Sequence, residues 1–460
     1  MPKRKSSHSS SRKPTFTGRV IKANVNSESR LLNEHAAGID IGAERHYVAV
    51  PPTADAHPVR EFSVFTKDLV AIADWLASCG VKTVAMESTG VYWVALYELL
   101  DERGFKVKLV DARKVKNVTG RKSDVLDCQW LQQLESYGLL QAAYRPADEI
   151  VVLRGHMRQR AMLVKSAASH ILHMQKALQQ MDLRLDNVVS DITGQTGMRI
   201  MKAILGGERD VEKLGAMRDR NCKASAEVIA QSLVGNYRAE HLFSLKQAVE
   251  LFEIYQEKIQ ECELEMENYL RGMPGKRSDK PPDVASPKRQ RMRFNVRDYA
   301  YRLTGVDLFR VQGFNSQTVL QIISEVGVDL SGFASEKQFA SRLCVSPNRR
   351  VSGGKVLSSR TKASNNRAAQ AFRQAAVSVA RSESELGTYY RRMQGRKGPA
   401  AAITATAHKL ARLYYSLVKQ GQEYDEERAR ADQERQRERM VMNLRRRAKG
   451  LGYELVAVAA

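Results

Sequence analysis

The chain is poor in cysteine, and its cysteines are far apart. Five are spread over 460 residues, at positions 79, 128, 222, 262 and 344, and no two form a C-x-x-C pair. Disulfide-built secreted domains and structural zinc sites both rely on closely spaced cysteines. The sequence therefore argues against both and is typical of a protein in a reducing cytosol.

Long apolar runs are also lacking. No uninterrupted apolar stretch approaches the roughly 20 residues that a membrane-spanning helix needs. The N-terminal segment MPKRKSSHSSSRKPTF carries charge and serine but has no apolar core of a signal peptide. We therefore predict a protein that is neither secreted nor embedded in a membrane.

Acidic residues are outnumbered by basic ones. The chain has 51 aspartates and glutamates against 74 lysines and arginines, which gives a formal net charge of +23 and a pI near 9.8. A surplus of this size indicates a polyanionic partner, and nucleic acid is the first candidate. The length predicts two or three domains, each with a hydrophobic core of its own.

Composition and hydrophobic periodicity divide the chain into six segments. The first 33 residues hold eight basic residues against the single acid Glu28, which predicts a disordered arm. Strand and helix patterns then alternate and predict an α/β domain with a mixed sheet, after which the pattern is helical. The segments are a basic arm at 1–33, an α/β domain at 34–146, a helical stalk at 147–273, a basic proline-containing linker at 274–298, a second, mainly α-helical domain at 299–421 and a charged tail at 422–460.

Within the α/β domain, the apolar pattern predicts eight elements. The predicted strands are 37–41, 46–50, 59–65, 81–87 and 107–111, and the predicted helices are 67–79, 91–103 and 123–137.

Four carboxylates of this domain occupy positions typical of a metal site. Asp40 lies in the strand-like run AAGIDIGAERHYVAV, and Glu87 ends the apolar run in VKTVAMESTG. In RKSDVLDCQWL, Asp124 and Asp127 are three residues apart on a predicted helix and therefore share one face. Asp111 ends a strand and is interpreted as a helix cap.

Clustered carboxylates without histidine or cysteine suit magnesium, which prefers carboxylate oxygen and retains bound water. Two such ions neutralise the charge on a scissile phosphate and activate a nucleophile. The four carboxylates therefore predict Mg²⁺-dependent phosphoryl transfer on nucleic acid, provided that the two strands and the helix converge.

The second domain contains a long segment of one charge sign. No acidic residue occurs between Glu336 and Glu383, which predicts a phosphate-binding surface. Upstream, VQGFNSQTVLQIISEVG resembles a helix-hairpin-helix element, whose glycine-bearing turn presents backbone N–H groups to phosphate. The predicted nucleic-acid-binding residues are Arg342, Arg349, Arg350, Lys355, Arg360, Lys362 and Arg367.

These motifs together resemble a known family. GIDIGAERHYVAV, MESTGVYW and RKSDVLDCQWL are similar to the RuvC-like, RNase H-type domain of the DEDD transposases of bacterial insertion sequences, a group that includes Piv-type invertases and bridge-RNA-guided recombinases. FASEKQFASRLCVSPNRRVSGGKVLSSRTKASNNRAAQAFRQAA resembles the serine-bearing transposase domain of that family. The resemblance covers about 35–145 and about 300–420.

The resemblance implies roles for particular residues. Asp40, Glu87, Asp124 and Asp127 would bind Mg²⁺. Ser352, in RRVSGGK, would be the nucleophile and would form a covalent phosphoserine that conserves bond energy for rejoining strands.

The glycines after this serine fit such a role, because a backbone without side chains lets a phosphate come close. Three other serines of the segment are rival candidates for the nucleophile: Ser346, Ser358 and Ser359. Ser346 is interpreted as the start of a turn, and the other two are interpreted as donors to the phosphate backbone.

The resemblance also implies partners. They are donor and target DNA, a structured non-coding guide RNA encoded by the mobile element, and further copies of the chain in a dimer or tetramer. The expected location is the bacterial cytoplasm, in association with the nucleoid.

Other interpretations remain open. The nearest is a RuvC-like, structure-selective nuclease in which the second domain is only a DNA clamp. GIDIGA also resembles the first phosphate loop of actin-like ATPases and sugar kinases, but the second glycine-rich phosphate loop of that fold is not apparent. A non-enzymatic nucleic-acid scaffold explains the charge but leaves the four carboxylates without a purpose. The tyrosine pairs Tyr389–Tyr390 and Tyr414–Tyr415 lack the Arg/His pattern of a tyrosine recombinase and are interpreted as packing residues.

Overall fold

A computed structural model describes residues 31–88, 90–110, 124–278, 281, 292–364, 366–454 and 456 of the chain. The chain divides into two compact units, Met1–Arg145 and Pro146–Ala460. The predicted basic arm up to residue 30, Asp111 and about half of the predicted basic linker lie outside the described residues.

The first unit contains a mixed five-stranded sheet with the order β3-β2-β1-β4-β5. β2 runs antiparallel to β1 and β3, whereas β4 is parallel to β1 and to β5. The prediction of a mixed sheet is confirmed, and this arrangement is compatible with an RNase H-like fold. The strands are β1 (Ala36–Ile41), β2 (Arg45–Ala49), β3 (Val59–Ser63), β4 (Thr83–Glu87) and β5 (Lys106–Val110).

Helices cover both faces of this sheet. α1 (Thr66–Ser78) and α2 (Val94–Glu102) bury their apolar faces with the strands in one hydrophobic core. α3 (Asp124–Ser136) packs against β1, β2 and β4. The core combines strand residues with helix residues, among them Ile39, Ile41, Val84, Met86, Ile72, Leu76, Leu96 and Leu100.

The second unit begins with two long helices, α4 (Asp148–Gln180) and α9 (Ala239–Gly272), that pack against each other. Early residues of α4 contact late residues of α9, so the pair is antiparallel. The contacts join Glu149 to Tyr269, Arg160 to Glu263 and His170 to Tyr255. Four short helices lie between them in sequence and share an apolar core with them: α5 (Leu185–Val188), α6 (Gln195–Leu205), α7 (Val211–Ala216) and α8 (Ala226–Ser232).

The rest of the second unit is mainly helical, with one small β-hairpin. Its helices are α10 (Val296–Thr304), a 3₁₀ turn (Leu308–Arg310), α11 (Ser316–Val326), α12 (Glu336–Arg342), α13 (Arg367–Val379), α14 (Glu385–Lys397), α15 (Pro399–Gln420) and α16 (Glu426–Gly450), and its strands are β6 (Arg350–Ser352) and β7 (Lys355–Ser358).

Aromatic side chains form the centre of this domain. Tyr414 of α15 is fully buried, and its ring lies about 6 Å from the rings of Phe339 and Phe372. The hydroxyl of Tyr415 donates a hydrogen bond of 2.7 Å to the carbonyl oxygen of Phe333. The packing interpretation of Tyr414 and Tyr415 is therefore confirmed.

None of the helices in the described ranges combines the length and the apolar character needed to cross a bilayer.

Candidate active site

Adjacent parallel strands bring Asp40 and Glu87 to the same end of the sheet. Ile39 of β1 lies opposite Met86 of β4, so the next residues in each strand, Asp40 and Glu87, are neighbours across the pair. Side chains that are directly opposite point to the same face of a sheet. Both carboxylates are half-buried. The two strand positions predicted from the sequence therefore lie side by side.

Gly38 lets α3 come very close to β1. A Cβ atom at position 38 would lie only 2.2 Å from the carbonyl oxygen of Cys128 and 2.3 Å from the amide nitrogen of Gln132. The helix backbone therefore rests directly on the strand, which only glycine permits. Because residues 38 and 40 share one face, Asp40 is on the side of the sheet that α3 covers.

The first turns of α3 complete this arrangement. Asp127 is half-buried, and the neighbouring Cys128 is fully buried. Burial, together with the negative charges of Asp40 and Asp127, raises the pKa of the Cys128 thiol to about 12. Asp127 is next to Cys128 in the chain, and the Cys128 carbonyl oxygen lies against Gly38, two residues from Asp40, so Asp127 belongs to the part of α3 that covers this face of the sheet. Asp124 is the first residue of α3, and its side chain lies outside the described part of the chain.

The donor chemistry fits a hard divalent cation. Asp40, Glu87 and Asp127 offer carboxylate oxygens, the ligands that Mg²⁺ prefers. Cys128, with its raised pKa, stays a neutral thiol at neutral pH and does not compete as a thiolate ligand. Among the side chains that the structure describes, no three His, Cys, Asp or Glu residues already stand close enough to hold an ion. The role of the quartet as metal ligands therefore stays a prediction.

The other end of α3 is held by a half-buried ion pair that was not predicted from the sequence. Lys108 of β5 places its Nζ 2.7 Å from Oε1 of Glu135, whose side chain is completely buried. The Asn33 side-chain amide donates to the carbonyl oxygen of Glu135 at 2.8 Å. Lys108 lies inside the strand KVKLV, where a charged side chain is expected to have a partner. This charged position in the strand is the sequence feature that points to the ion pair.

Ser352 lies at the end of β6, beside the tip of an exposed β-hairpin. It is paired with Lys355 across the hairpin, so both side chains are on one face. Gly353 and Gly354 form the turn with φ of 54° and 76°, the positive values that a type I′ turn requires at both positions.

The turn alone accounts for the glycine pair, and phosphate access at this turn stays a prediction. The tip is nevertheless open: no atom lies within 4 Å of the Cβ position of either glycine. The pattern V-S-G-G-K-V is itself a hairpin signal, and the sequence analysis did not use it.

The rival serine Ser358 has a local role. Its hydroxyl accepts a hydrogen bond of 3.3 Å from the backbone N–H of Arg360. At the base of the hairpin, the Asn348 N–H donates to the Arg360 carbonyl oxygen at 3.1 Å and closes the ribbon. The choice of Ser352 over its rivals stays a prediction.

The predicted nucleic-acid-binding residues surround this hairpin. The side chains of Arg349, Arg350, Lys355, Arg360 and Lys362 are exposed, whereas Arg342 and Arg367 are half-buried. None of the five exposed cations is paired with an acid among the residues that the structure describes. The hairpin therefore presents uncompensated positive charge on both sides of Ser352.

The predicted helix-hairpin-helix turn has a different local explanation. Gly313 has a φ of 92°, and a Cβ atom there would lie 2.6 Å from the carbonyl oxygen of Ala375 and 2.4 Å from a methyl group of Val379, both in α13. The glycine therefore serves close packing against α13. The following helix α11 is capped by the Asn315 side chain. A phosphate contact at this turn stays a prediction.

Comparison with known families gives two matches. Residues 37–182 match the transposase model DEDD_Tnp_IS110, and residues 307–391 match the model described as Transposase IS116/IS110/IS902 family. No curated protein sequence matches the chain. The first match contains the four carboxylates, and the second contains Ser352 and the basic hairpin.

Both models describe transposases of the IS110 group, and they match different halves of the chain in the order that the motifs predict. The two matches therefore show an enzyme of the DNA transposase and recombinase class, which acts by phosphoryl transfer on DNA.

Proposed function

We propose that the chain is an insertion-sequence transposase that cleaves and exchanges DNA strands with Ser352 as its nucleophile, with Mg²⁺ as its cofactor and with an element-encoded bridge RNA as its guide. One observation carries the proposal. Asp40 and Glu87 are neighbours across β1 and β4, on the face against which α3 brings Asp127.

The carboxylates are the proposed metal ligands. Asp40, Glu87, Asp124 and Asp127 would hold Mg²⁺, which supplies charge stabilisation at the phosphate. The pairing of β1 with β4 sets Asp40 beside Glu87, and the packing of α3 on Gly38 brings the helix that carries Asp127 onto the same face. Burial is the main cause of the raised pKa of the Cys128 thiol, and the negative charges of Asp40 and Asp127 add to it, which is consistent with two carboxylates near one divalent cation.

Ser352 is the proposed nucleophile. Its Oγ would form a bond to the scissile phosphorus while the bond from phosphorus to one sugar oxygen breaks. The serine hydroxyl loses its proton, and the departing sugar oxygen gains one. The strand stays attached as a phosphodiester, so a hydroxyl of the partner strand can displace the serine without an outside energy source. Lys355, opposite Ser352 in the hairpin, is placed to neutralise the phosphate.

The RNA guide and the oligomer are supported by the charge of the chain and by the family resemblance. The formal net charge of +23 is consistent with more than one polyanionic partner. The family resemblance supplies the identity of that polyanion and the expectation of a dimer or tetramer.

The test is mass spectrometry of protein trapped on a DNA substrate. We expect a DNA adduct on Ser352 in the native enzyme and none in S352A. A matched control, S358A, changes the other hairpin serine and should keep both adduct and activity. In D40A, we expect cleavage to fall by about 10³-fold or more, because several kcal/mol of charge stabilisation are lost, while DNA affinity is largely retained.

The second candidate is a RuvC-like nuclease that uses water, with the C-terminal domain as a DNA clamp. The same carboxylate geometry favours it, because the quartet alone suffices for hydrolysis. It predicts cleavage without any protein adduct and full cleavage by S352A. Either result would replace the serine proposal with this one.

A further inference from the structure

The last helix, α16, has no hydrophobic core of its own. It spans 25 residues, and none of its described side chains is buried. Contacts at its first turn attach it to the domain: Glu426 accepts a hydrogen bond of 2.9 Å from the backbone N–H of Glu385 and one of 3.1 Å from the Tyr424 hydroxyl. A helix that buries no apolar face gains little from packing, so its remaining length calls for another partner.

The charge along α16 is uneven. From Glu426 to Glu438 acids and bases alternate, and Arg430 lies 3.5 Å from Glu426 on the next turn. From Arg439 to the residue before Glu454 there is no acid. The cations of this second part are Arg439, Arg445, Arg446, Arg447 and Lys449.

These five cations are exposed, and none is paired with an acid within the described ranges. Successive residues of a helix are about 100° apart, so Arg445 and Arg447 point to opposite sides and Arg446 lies between them. Arg439, one heptad earlier, is on the same face as Arg446. The basic face therefore spans about half of the helix circumference.

We propose that the 439–450 part of α16 is a second DNA-binding arm, separate from the basic hairpin, that lies in the major groove of duplex DNA. At a length of about 18 Å, this part of the helix can contact several phosphates of one DNA strand. An α-helix fits the major groove of B-DNA, whereas the major groove of an RNA duplex is too narrow to admit side chains. Arg445 and Arg447 reach the two phosphate walls, and Arg446 faces the groove floor. The positive charge of this helix face complements the negative charge of DNA phosphates, which are therefore its proposed binding partner.

The test measures how DNA affinity depends on salt. The probe is a labelled 30-base-pair duplex of random sequence, bound by the full-length protein in EDTA so that no cleavage occurs. In the variant R445Q/R446Q/R447Q, we expect the slope of log affinity against log salt to be reduced by about 2, since Arg445 and Arg447 each lose a phosphate contact that contributes about 0.9.

The matched control removes three arginines from the first part of the same helix, R428Q/R430Q/R435Q. Acids interleave with these arginines, so the control should leave the slope almost unchanged. Circular dichroism of both variants checks that helix content is equal.

Two results would overturn the proposal. One is an unchanged slope in R445Q/R446Q/R447Q, or an equal loss of slope in both triple variants. The other is a reduced slope in R445Q/R446Q/R447Q with an RNA duplex of the same sequence but not with the DNA duplex, which would assign the arm to RNA. Neither result bears on Ser352 or on the carboxylates, which the adduct and cleavage assays test separately.

Discussion

At the scale of single residues, two kinds of glycine shape the proposed active site. Gly353 and Gly354 are favoured by their backbone angles, because a turn with φ of 54° and 76° strains most other residues. Gly38 has an ordinary strand conformation and is required by space, because the backbone of α3 occupies the place of its side chain. The first kind makes the hairpin of Ser352, and the second brings Asp127 towards Asp40.

Gly38→Ala should separate this helix from the sheet. The added methyl group overlaps backbone atoms of Cys128 and Gln132, which cannot rotate away, so we expect a loss of about 1 to 3 kcal/mol in the free energy of unfolding. Because α3 carries Asp124 and Asp127, cleavage should fall further than this loss explains. Denaturant unfolding and a cleavage assay at a temperature where the variant is folded measure the two effects.

The control for this change is Gly155→Ala. Gly155 lies in the interior of α4, and no atom is within 4 Å of its Cβ position. Alanine has the higher helix propensity, so the control should stabilise the protein by up to about 1 kcal/mol. Full activity and unchanged stability in Gly38→Ala would show that α3 does not need this close contact.

At the scale of elements, the sequence predicts the α/β domain closely but not the hairpin. The predicted helices 67–79 and 123–137 correspond to Thr66–Ser78 and Asp124–Ser136. Periodicity finds such elements because each has one buried face. β6 and β7 are almost wholly exposed and bury no face, so a hydrophobic pattern carries no information about them. Only the turn chemistry of Gly353–Gly354 marks the hairpin.

Long-range pairs are equally hard to predict. Glu135 and Lys108 are in different elements, and their ion pair depends on how α3 lies across the sheet. The adjacency of Asp40 and Glu87 was predictable, because parallel strands end at one edge of a sheet, whereas the convergence of both with Asp127 on one ion stays a prediction. The helix atoms that contact Gly38 were not predictable, since the distance between α3 and β1 depends on how the two backbones pack.

The ion pair of Lys108 and Glu135 should position α3 and, with it, the metal ligands. Lys108→Met leaves the completely buried Glu135 carboxylate without its cation, which should cost about 3 kcal/mol in stability. The double variant Lys108→Met/Glu135→Met removes both charges and should recover most of that stability. We expect both variants to need several-fold more Mg²⁺ for half-maximal cleavage, because α3 has lost the contact that fixes its position.

An exposed ion pair of the same unit provides the control. Arg103 and Asp74 are 2.5 Å apart with both side chains largely open to solvent, so Arg103→Met should change stability by less than about 1 kcal/mol and leave the Mg²⁺ requirement unchanged. If the double variant recovers both stability and the normal Mg²⁺ requirement, the pair contributes to folding alone and does not position the ligands.

At the scale of the whole molecule, the proposed chemistry is divided between two compact units. The carboxylates lie in Met1–Arg145, and Ser352 lies in Pro146–Ala460. About 220 residues separate Asp127 from Ser352, including the long helices α4 and α9. The proposed metal ligands and the proposed nucleophile lie in different units, so the proposed reaction draws on both units, from one chain or from two copies.

Complementation distinguishes these two arrangements. D40A protein lacks a metal ligand and S352A protein lacks the nucleophile, so each should be inactive alone. If an active site combines the first unit of one chain with the second unit of another, a mixture contains some sites in which both parts are intact. We then expect recombination to return to a fraction of the native rate, up to about one quarter if each active site draws one part from each of two randomly mixed chains. Recovery should depend on the mixing ratio and be greatest at equal amounts.

The double variant D40A/S352A, mixed with native protein in the same ratios, controls for simple dilution. Strand exchange on a DNA substrate measures both series, and a mixture of the two single variants that stays inactive, in oligomers shown to exchange subunits, would place both parts of the site in one chain.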